Sequence, residues 1–247
     1  MGRVVFIGAG PGAADLITLR GAQRLGEADV VLHDALIDMA LQRMAPHARW
    51  ISVGKRGFAK STAQAAINEQ LVSLAMEVAL VARLKGGDPS VFGRLEEELQ
   101  ALAAAGIECE VVPGVTAALA AAASTQRPLT RRGTGRSVAL ATAVTQHGAL
   151  HASRSADTEV FYMAGQQIAA LALRLRQADW PADTPVLVVS RAGWPDEHAS
   201  THRIDEMEAA AALHAGRPTL VTVGAGATAV RAAGPAAPRD GVDGPAQ

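Results

Sequence analysis

The sequence predicts an α/β fold made of two α/β domains with a cleft between them. Short runs of apolar, β-branched residues alternate with helix-forming segments through the first 115 residues, which is typical of a mostly parallel sheet. The same alternation returns in the second half, after a break that Pro113-Gly114 indicates. We therefore expect an N-terminal domain over 1–115, a C-terminal domain over 116–226 and a disordered tail over 227–247.

Apolar periodicity and terminating residues define the elements of the first domain. Ser61-Thr62-Ala63-Gln64 has the spacing of a capping box and begins a helix, and Thr116 can cap an Ala-rich one. Glycines and prolines end most of the others. The predicted strands are 3–7, 28–32, 50–53, 78–84 and 109–112, and the predicted helices are 14–26, 61–76, 96–105 and 117–123.

The second domain is predicted from the same patterns. Its chain from Ala225 onward is rich in Ala, Gly and Pro, and we expect it to be disordered. The predicted strands are 138–142, 159–163, 186–190 and 220–223, and the predicted helices are 166–178 and 204–214.

Composition excludes several classes of protein. The 247 residues are 49% hydrophobic and only 3% aromatic, which argues against aromatic platforms that stack nucleic-acid bases. A net charge of −1 gives no general attraction to nucleic acid or to an anionic membrane. The single Cys109 excludes a disulfide framework and fits a reducing compartment. With no signal peptide and no apolar run of about 20 residues, we expect a soluble cytoplasmic protein.

The turn after the fourth predicted strand is the strongest site signal. Gly86-Gly87-Asp88-Pro89 joins the buried strand to a helix, and Arg94 follows shortly after. Two glycines allow a positive φ and the close approach of a ligand. Open α/β sheets bind ligands at the carboxyl ends of their strands. The turn is therefore either a ligand site or a plain strand-turn-helix corner.

The glycine-rich segment after the first strand has two interpretations. Gly8 to Ala13 can be taken as a dinucleotide fingerprint with Ala in its last place, and Asp34 as the acid that binds the ribose. Pro11, however, removes one of the N–H donors that would hold a pyrophosphate. A nicotinamide-dependent oxidoreductase stays open as an alternative.

Four arginines lie in one predicted loop, 126–137. In a chain of nearly zero net charge this concentration indicates either an anion site or a solvated basic loop. The four are Arg127, Arg131, Arg132 and Arg136.

Other chemistries lack their motifs. His147 with His151, and His198 with His202, have i, i+4 spacing, but both pairs lie in polar segments that we predict to be loops. We predict no metal site. The chain contains no G-x-S-x-G and no G-x-x-x-x-G-K-[ST], and Cys109 is expected to be a packed thiol inside a strand.

Taken together, the motifs resemble the tetrapyrrole methyltransferases. The N-terminal part of the resemblance is Gly8-Ala9-Gly10-Pro11-Gly12 with Asp15-Leu16-Ile17-Thr18-Leu19. Tyr162-Met163 extends it into the second half. The remaining motifs are Val53-Gly54-Lys55-Arg56, Arg83 to Pro89, Phe92-Gly93-Arg94, Val111 to Thr116 and Pro128-Leu129-Thr130.

This resemblance implies the fold and the activity. The fold would be two α/β domains with S-adenosyl-L-methionine bound in the cleft between them, usually in a homodimer. The activity would be C-methylation of uroporphyrinogen III at ring positions 2 and 7, which gives precorrin-2 and leads into sirohaem and cobalamin synthesis. S-adenosyl-L-homocysteine would be the second product. A methyltransferase of a later precorrin, and a relative that binds donor or tetrapyrrole without turnover, stay open as alternatives.

The resemblance also implies residue roles. The proton acceptor and donor would be Asp34 and Lys55, with Arg94 acting beside them. Arg94, Glu97 and Arg132 would face the tetrapyrrole, whose carboxylates suit bidentate arginines. The methyl donor would contact Pro11, Gly86, Gly87, Asp88, Val91, Thr116, Ala117, Met163, Ala192 and Thr219.

Three positions depart from the family pattern. Leu95 and Glu96 stand where the family commonly has two glycines, and Arg131 stands where it commonly has His. The late segment, Arg191 to His198, and the last strand, with Gly224-Ala225-Gly226, also differ from the usual pattern. These departures concern the substrate side and the adenosine contacts of the second domain, and they leave the donor-binding core intact.

Overall fold

The computed structural model describes residues 2–54, 64–144 and 150–230. Its first sheet has five parallel strands in the order β3-β2-β4-β1-β5. The all-parallel pairing matches the strand-helix alternation of the sequence. The strands are β1 (Arg3–Gly8), β2 (Val30–His33), β3 (Arg49–Ser52), β4 (Leu80–Lys85) and β5 (Cys109–Val112).

Helices cover both faces of this sheet. Leu25 of α1 (Leu19–Gly26) packs on the face formed by Val5 and Leu84. The opposite face, with Val4 and Phe6, packs against α2 (Gln64–Glu77) and α3 (Leu95–Ala104). The neighbours β1 and β4 therefore lead to helices on opposite faces. Their carboxyl ends form a topological switch point, the usual place for a ligand crevice.

The second sheet is mixed and has the order β6-β7-β10-β8-β9. Strands β6 and β7 are parallel, whereas β10 pairs antiparallel with β7 and β8, and β8 pairs antiparallel with β9. The strands are β6 (Val138–Thr142), β7 (Thr158–Tyr162), β8 (Pro185–Ser190), β9 (His198–Arg203) and β10 (Thr219–Gly224).

This sheet also buries both faces. One face packs on α5 (Ile168–Gln177) and on a 3₁₀ helix (Ile204–Ala209) that continues into α6 (Ala210–Leu213). The other face packs on α4 (Ala117–Ser124), the Ala-rich helix that follows the first sheet. Its alanines allow the helix backbone to lie close to the strands.

The α/β class and the two-sheet architecture are confirmed. We keep 1–115 and 116–226 as the proposed domain limits. What supports them is that β5 ends at Val112 while α4 packs on the second sheet. Within the described ranges, no helix is long and apolar enough to cross a membrane.

Several sequence-based expectations were wrong in detail. The segment 14–26 is a short 3₁₀ turn (Ala14–Leu16) and then α1, because the Thr18 hydroxyl accepts the N–H of Gly21 and caps a new helix. A 3₁₀ helix over Met39–Met44 was not predicted. The polar segment with His198 and His202 is the edge strand β9 rather than a loop, because an edge strand needs only one buried face.

The C-terminal segment is ordered further than expected. Ala225–Ala227 forms a 3₁₀ turn, and Ala227 is fully buried. Residues 231–247 lie outside the described ranges. Ser61-Thr62-Ala63, His147 and Lys55 also lie outside them.

Candidate active site at the carboxyl edge of the first sheet

Three turns meet where β1, β4 and β5 end. The N–H of Gly87 donates to the carbonyl of Gly10, and the N–H of Gly10 donates back at 3.3 Å. A Cβ added to Gly114 would lie 2.3 Å from the carbonyl oxygen of Gly87 and 2.7 Å from the Cα of Gly8. Only glycine permits this approach, so the three turns form one packed unit.

Asp88 ties two of these turns together. Its Oδ2 accepts the N–H of Gly114 at 2.9 Å, and its Oδ1 accepts the N–H of Ser90 at 2.8 Å. A carboxylate that accepts two backbone N–H groups holds them more firmly than a neutral acceptor would. Asp88 therefore fixes the turn after β4 against the turn after β5.

The packing of the protein does not by itself require a glycine at position 86. A Cβ added to Gly86 would come no closer than 3.5 Å to its neighbours, and Gly86 does not have a positive φ. The residue is exposed beside Leu36, whose side chain is 51% exposed. Open space above bare backbone is the feature expected where a ligand approaches closely.

The turn after β1 faces the second half of the chain. The N–H of Ala13 donates to the carbonyl of Gly193 at 2.7 Å. A Cβ on Gly12 would meet the ring of Trp194 at 2.5 Å, and one on Gly193 would meet Pro11 at 3.0 Å. Pro11 and Gly12 thus form the contact between the two halves, an arrangement different from a loop that presents its N–H groups to a pyrophosphate.

Tyr162 joins the halves on the other side of the cleft. Its hydroxyl lies 2.8 Å from the hydroxyl of Thr116, and its ring centroid lies 5.0 Å from that of Phe92. Burial raises the pKa of the Tyr162 hydroxyl, so it stays protonated and can donate. Val91 packs into the same cluster, beside Ala118 of α4.

The second half contributes three of the predicted donor contacts. Met163 follows β7 with a left-handed φ of 56° and is half-exposed, so its side chain is available at the cleft. Ala192 is buried. Thr219 is also buried, and its hydroxyl donates to the carbonyl of Arg217, so only its backbone could reach a ligand without rearrangement.

Asp34 immediately follows β2 and keeps 35% of its side chain exposed. Its backbone N–H donates to the carbonyl of Leu84 at 3.2 Å, and its Oδ1 accepts from Arg83 at 2.6 Å. Lys55, the predicted partner in acid-base chemistry, lies outside the described ranges.

Arg83 belongs to a buried charge cluster that we did not predict. Arg83, Lys85 and Glu98 are at most 3% exposed. Glu98 accepts from Lys85 at 2.8 Å and from two nitrogens of Arg83, each at 3.1 Å. Burial lowers the pKa of the Lys85 ammonium, and the charge of Arg83 lowers it further.

The sequence contains a signal for this cluster. Arg83 and Lys85 are two positions apart in a strand that is otherwise apolar, so both side chains point to the same face. Two cations on a buried face require a carboxylate partner. The helix on that face begins with Glu96, Glu97 and Glu98, and only Glu98 is buried.

Arg94 and Glu97 form an exposed pair. The guanidinium of Arg94 donates from Nε and Nη2 to the two oxygens of Glu97, both at 2.7 Å. This bond lowers the pKa of the Glu97 carboxyl. Arg94 directly precedes α3 with a left-handed φ of 54°, and its side chain is exposed.

The arginine loop is largely structural. Arg127 donates to the carbonyl of Ala227 and to the hydroxyl of Thr201. Arg131 donates to the carbonyls of Ala225 and Thr228, which fixes the C-terminal turn. Of the two interpretations left open for this loop, neither describes Arg127 and Arg131, because backbone carbonyls already occupy their guanidinium groups. Arg132 and Arg136 are exposed.

Cys109 begins β5 and is partly buried. Burial raises the pKa of its thiol, as expected for a packed cysteine. In the part of the chain that the structure describes, no group of three or more His, Cys, Asp or Glu side chains could hold a metal ion.

The structure thus brings most predicted donor contacts to one cleft. Pro11, Gly86, Gly87, Asp88, Val91, Thr116, Ala117 and Met163 surround the meeting point of the three turns with β7 and α4. Their roles stay predictions. The fold defines an α/β protein of two sheets, and these residues lie at the switch point of the first sheet, where such proteins usually bind small molecules.

Comparison with known proteins defines the family. The family model described as "Tetrapyrrole (Corrin/Porphyrin) Methylases" matches residues 3–208. The chain belongs to this family.

Individual relatives agree with this assignment. Over 225 residues, the chain is 43% identical to a uroporphyrinogen-III C-methyltransferase from Paracoccus denitrificans, covering 86% of this chain and 76% of that protein. It is 39% identical to the siroheme synthase of Zymomonas mobilis, covering 90% of this chain and only 48% of that protein. The chain therefore spans about half the length of that second relative.

A solved structure has the same fold. A uroporphyrin-III C-methyltransferase from Thermus thermophilus, complexed with S-adenosyl homocysteine, superposes with a TM-score of 0.79 at 35% identity. The match covers 90% of this chain and 97% of that chain.

A buried histidine beneath Thr219 makes stability depend on pH. The ring of His214 contacts the hydroxyls of Ser190 and Ser200, and Ser190 bonds Thr219 at 2.9 Å. Burial, with a smaller effect from the neighbouring His198, lowers the pKa of His214 to about 4. In the unfolded chain its pKa is about 6.5.

We predict that the free energy of unfolding falls as the pH is lowered from 6.5 to 4, by up to about 3 kcal/mol from this residue. The reason is that the unfolded chain then takes up a proton at His214 that the folded chain does not. Urea denaturation at several pH values measures the slope. His214→Gln should flatten it, whereas His47→Gln, at an exposed site, should not. Equal slopes in the wild type and His214→Gln would contradict the prediction.

Proposed function

We propose that this chain transfers methyl groups from S-adenosyl-L-methionine to ring positions 2 and 7 of uroporphyrinogen III, giving precorrin-2. The observation that carries the proposal is the 43% identity to the Paracoccus denitrificans enzyme, over 76% of that protein's length. The cleft supports it independently. Its glycine turns leave bare backbone open at Gly86, as a closely held ligand requires.

The donor would lie against the turn after β4. Gly86 and Gly87 would offer backbone groups, and Asp88 would hold the two neighbouring turns in place for it. Thr116 and Ala117 would contact it from the start of α4, and Met163 from the end of β7. When bound, S-adenosyl-L-methionine supplies an electrophilic methyl group. The chain's contribution is to align the two reactants and to exclude water from the cleft.

The tetrapyrrole would lie over the exposed edge of the cleft. Uroporphyrinogen III carries eight carboxylates. The side chain of Arg94 is 52% exposed, and two of its nitrogens donate to the carboxylate of Glu97. A substrate carboxylate could replace or share Glu97 on this guanidinium. Arg132 is exposed and could contribute in the same way, whereas Arg127 and Arg131 are occupied by backbone carbonyls.

Acid-base chemistry must follow methyl transfer. Attack by a pyrrole carbon leaves the tetrapyrrole cationic, and a proton must then leave it. Asp34 is partly exposed and adjacent to the turn with Leu36 and Gly86, so it is suited to accept that proton. Lys55 is proposed as the proton donor on the basis of the family resemblance.

We also propose that the protein acts as a cytoplasmic homodimer. What supports a dimer is the apolar surface of the edge strand β6, where Val138 is 36% and Leu140 42% exposed. Exposed apolar side chains on an edge strand favour association with another chain. The cytoplasmic location is supported by the single cysteine.

A turnover assay tests the proposed function. Under anaerobic conditions, we expect the protein with S-adenosyl-L-methionine and uroporphyrinogen III to give a product heavier by two methyl groups, measured by mass spectrometry. Omission of the donor is the control. A gain of a methyl group only on a later precorrin would favour the sister activity. If no tetrapyrrole gains mass although the donor binds, the chain would be a binding protein without turnover.

The two sides of the cleft can be separated by substitution. Asp88→Ala should weaken S-adenosyl-L-homocysteine binding at least tenfold, about 1.4 kcal/mol, because the turns after β4 and β5 lose their common acceptor. Arg94→Ala should leave this affinity within twofold and lower kcat at least tenfold. Calorimetry and initial rates measure the two effects.

Arg203→Ala is a matched control for Arg94→Ala. Arg203, the last residue of β9, makes a similar two-nitrogen pair with Asp205 of the 3₁₀ helix that follows, and neither element carries a proposed site residue. Arg203→Ala should change neither the affinity for S-adenosyl-L-homocysteine nor kcat. The opposite pattern for Asp88 and Arg94 would mean that the donor and substrate sides are assigned the wrong way round.

A further inference from the structure

Arg83 is a buried arginine to which the family resemblance assigns no role. Only 1% of the residue is exposed, yet its guanidinium ends at Asp34, the proposed proton acceptor. The strand β4 places it there, because Arg83 lies one residue before Leu84, whose carbonyl accepts the N–H of Asp34. The cluster of Arg83, Lys85, Glu98 and Asp34 is called the buried charge cluster below.

The orientation of this guanidinium is fully determined. Nε donates to Glu98 at 3.1 Å, and Nη1 donates to the carbonyls of Leu32 and Leu84 at 3.5 and 3.3 Å. Nη2 donates to Glu98 at 3.1 Å and to Asp34 at 2.6 Å. All three nitrogens are thus held, and the shortest bond is the one to Asp34. A planar group fixed at four other acceptors holds the fifth in one orientation.

Charge balance gives Asp34 a second role in the buried charge cluster. Arg83 and Lys85 bring two positive charges into the core, and Glu98 supplies one negative charge. The carboxylate of Asp34 matches the remaining positive charge. The pKa of Arg83 is raised, because the attraction of Asp34 and Glu98 exceeds the effect of burial, so its charge persists throughout the useful pH range.

We propose that Arg83, anchored by Glu98, is a positioning residue for the reaction: it orients the carboxylate of Asp34 so that this group can take a proton from the methylated tetrapyrrole. This inference rests on the proposed function and extends it to residues in the core. Arg83 does not touch the substrate and acts only through Asp34.

The proton balance is simple. After methyl transfer, an X–H bond of the cationic tetrapyrrole breaks, its electron pair neutralises the cation, and the proton adds to Asp34. Protonation of Asp34 leaves one positive charge in the buried charge cluster without a counter-charge. The proton is therefore released to water at the exposed edge of the carboxyl, and Asp34 returns to its ionised form.

Among the described residues, the charged and titratable groups around Asp34 come from three elements. Arg83 and Lys85 lie on β4, Glu98 lies on α3, and the ring Nδ1 of His33, at the end of β2, lies 2.9 Å from the carbonyl of Asp34. Lys55 follows β3 outside the described ranges.

A double-substitution cycle tests the inference. We expect Arg83→Gln to lower kcat at least tenfold, with KM for uroporphyrinogen III within threefold and S-adenosyl-L-homocysteine affinity within twofold of the wild type. In the Asp34→Asn background, the same substitution should cost less than a further twofold, because Arg83 acts through Asp34.

Glu98→Gln provides a second variant that keeps the shape of the side chain and removes only its charge. It should lower kcat in the wild-type background and not in Asp34→Asn. The matched control is Arg24→Gln, which breaks the Arg24–Glu110 pair between α1 and β5 in the same half of the chain. Arg24→Gln should leave kcat unchanged. Circular dichroism and the binding of S-adenosyl-L-homocysteine report whether each variant is folded. If Arg83→Gln is not folded, Glu98→Gln replaces it in the double-substitution cycle.

Failure of the proposed function and failure of the proposed role of Arg83 give different results. A wild type that makes no methylated product removes the proposed function. A wild type that turns over normally, with losses for Arg83→Gln and Asp34→Asn that multiply, would overturn the role of Arg83 alone. Full activity of Asp34→Asn would do the same.

Discussion

The close packing of Gly8, Gly87 and Gly114 is the constraint on which the rest of the site depends. A Cβ on Gly8 would lie 2.5 Å from the Cα of Gly114, and one on Gly114 would lie 2.3 Å from the carbonyl of Gly87. Because these turns end β1, β4 and β5, their contact brings the ends of three adjacent strands together. Asp88 then fixes the arrangement through the N–H of Gly114, and α4 leads from it to the second sheet.

The polar core beneath this edge is costly and therefore informative. A buried ion pair rarely stabilises a fold more than apolar residues of similar size would, whereas removing one partner costs about 3–5 kcal/mol. Arg83, Lys85 and Glu98 replace what could be an apolar packing of α3 on β4. The cluster reaches the surface at Asp34, which has 35% of its side chain exposed. Lys85 of this cluster directly precedes Gly86 of the glycine turn. The cluster therefore connects the core with the proposed chemistry.

The sequence predicted what depends on local patterns. The strand, the glycine turn and the helix from Leu80 to Ala104 follow from apolar periodicity and from Gly86-Gly87, and the structure has them within two residues. Long-range contacts were not predictable in this way. Arg127 and Arg131 could not be told from anion-binding arginines, because their acceptors, the carbonyls of 225–228, lie about 100 residues away in sequence. The strand β9 was missed because its polar sequence carries no apolar run, and its pairing with β8 decides its conformation.

We infer that the cleft at the glycine turns holds a methyl donor and not a dinucleotide. Titration calorimetry of the wild-type protein with S-adenosyl-L-homocysteine, NADH and NADPH tests it most directly. We expect saturable one-to-one binding of S-adenosyl-L-homocysteine and no binding of either nicotinamide nucleotide. Gly86→Val, which places a bulky side chain at the open position, should abolish the binding of S-adenosyl-L-homocysteine. Tight binding of a nicotinamide nucleotide with none of S-adenosyl-L-homocysteine would contradict it.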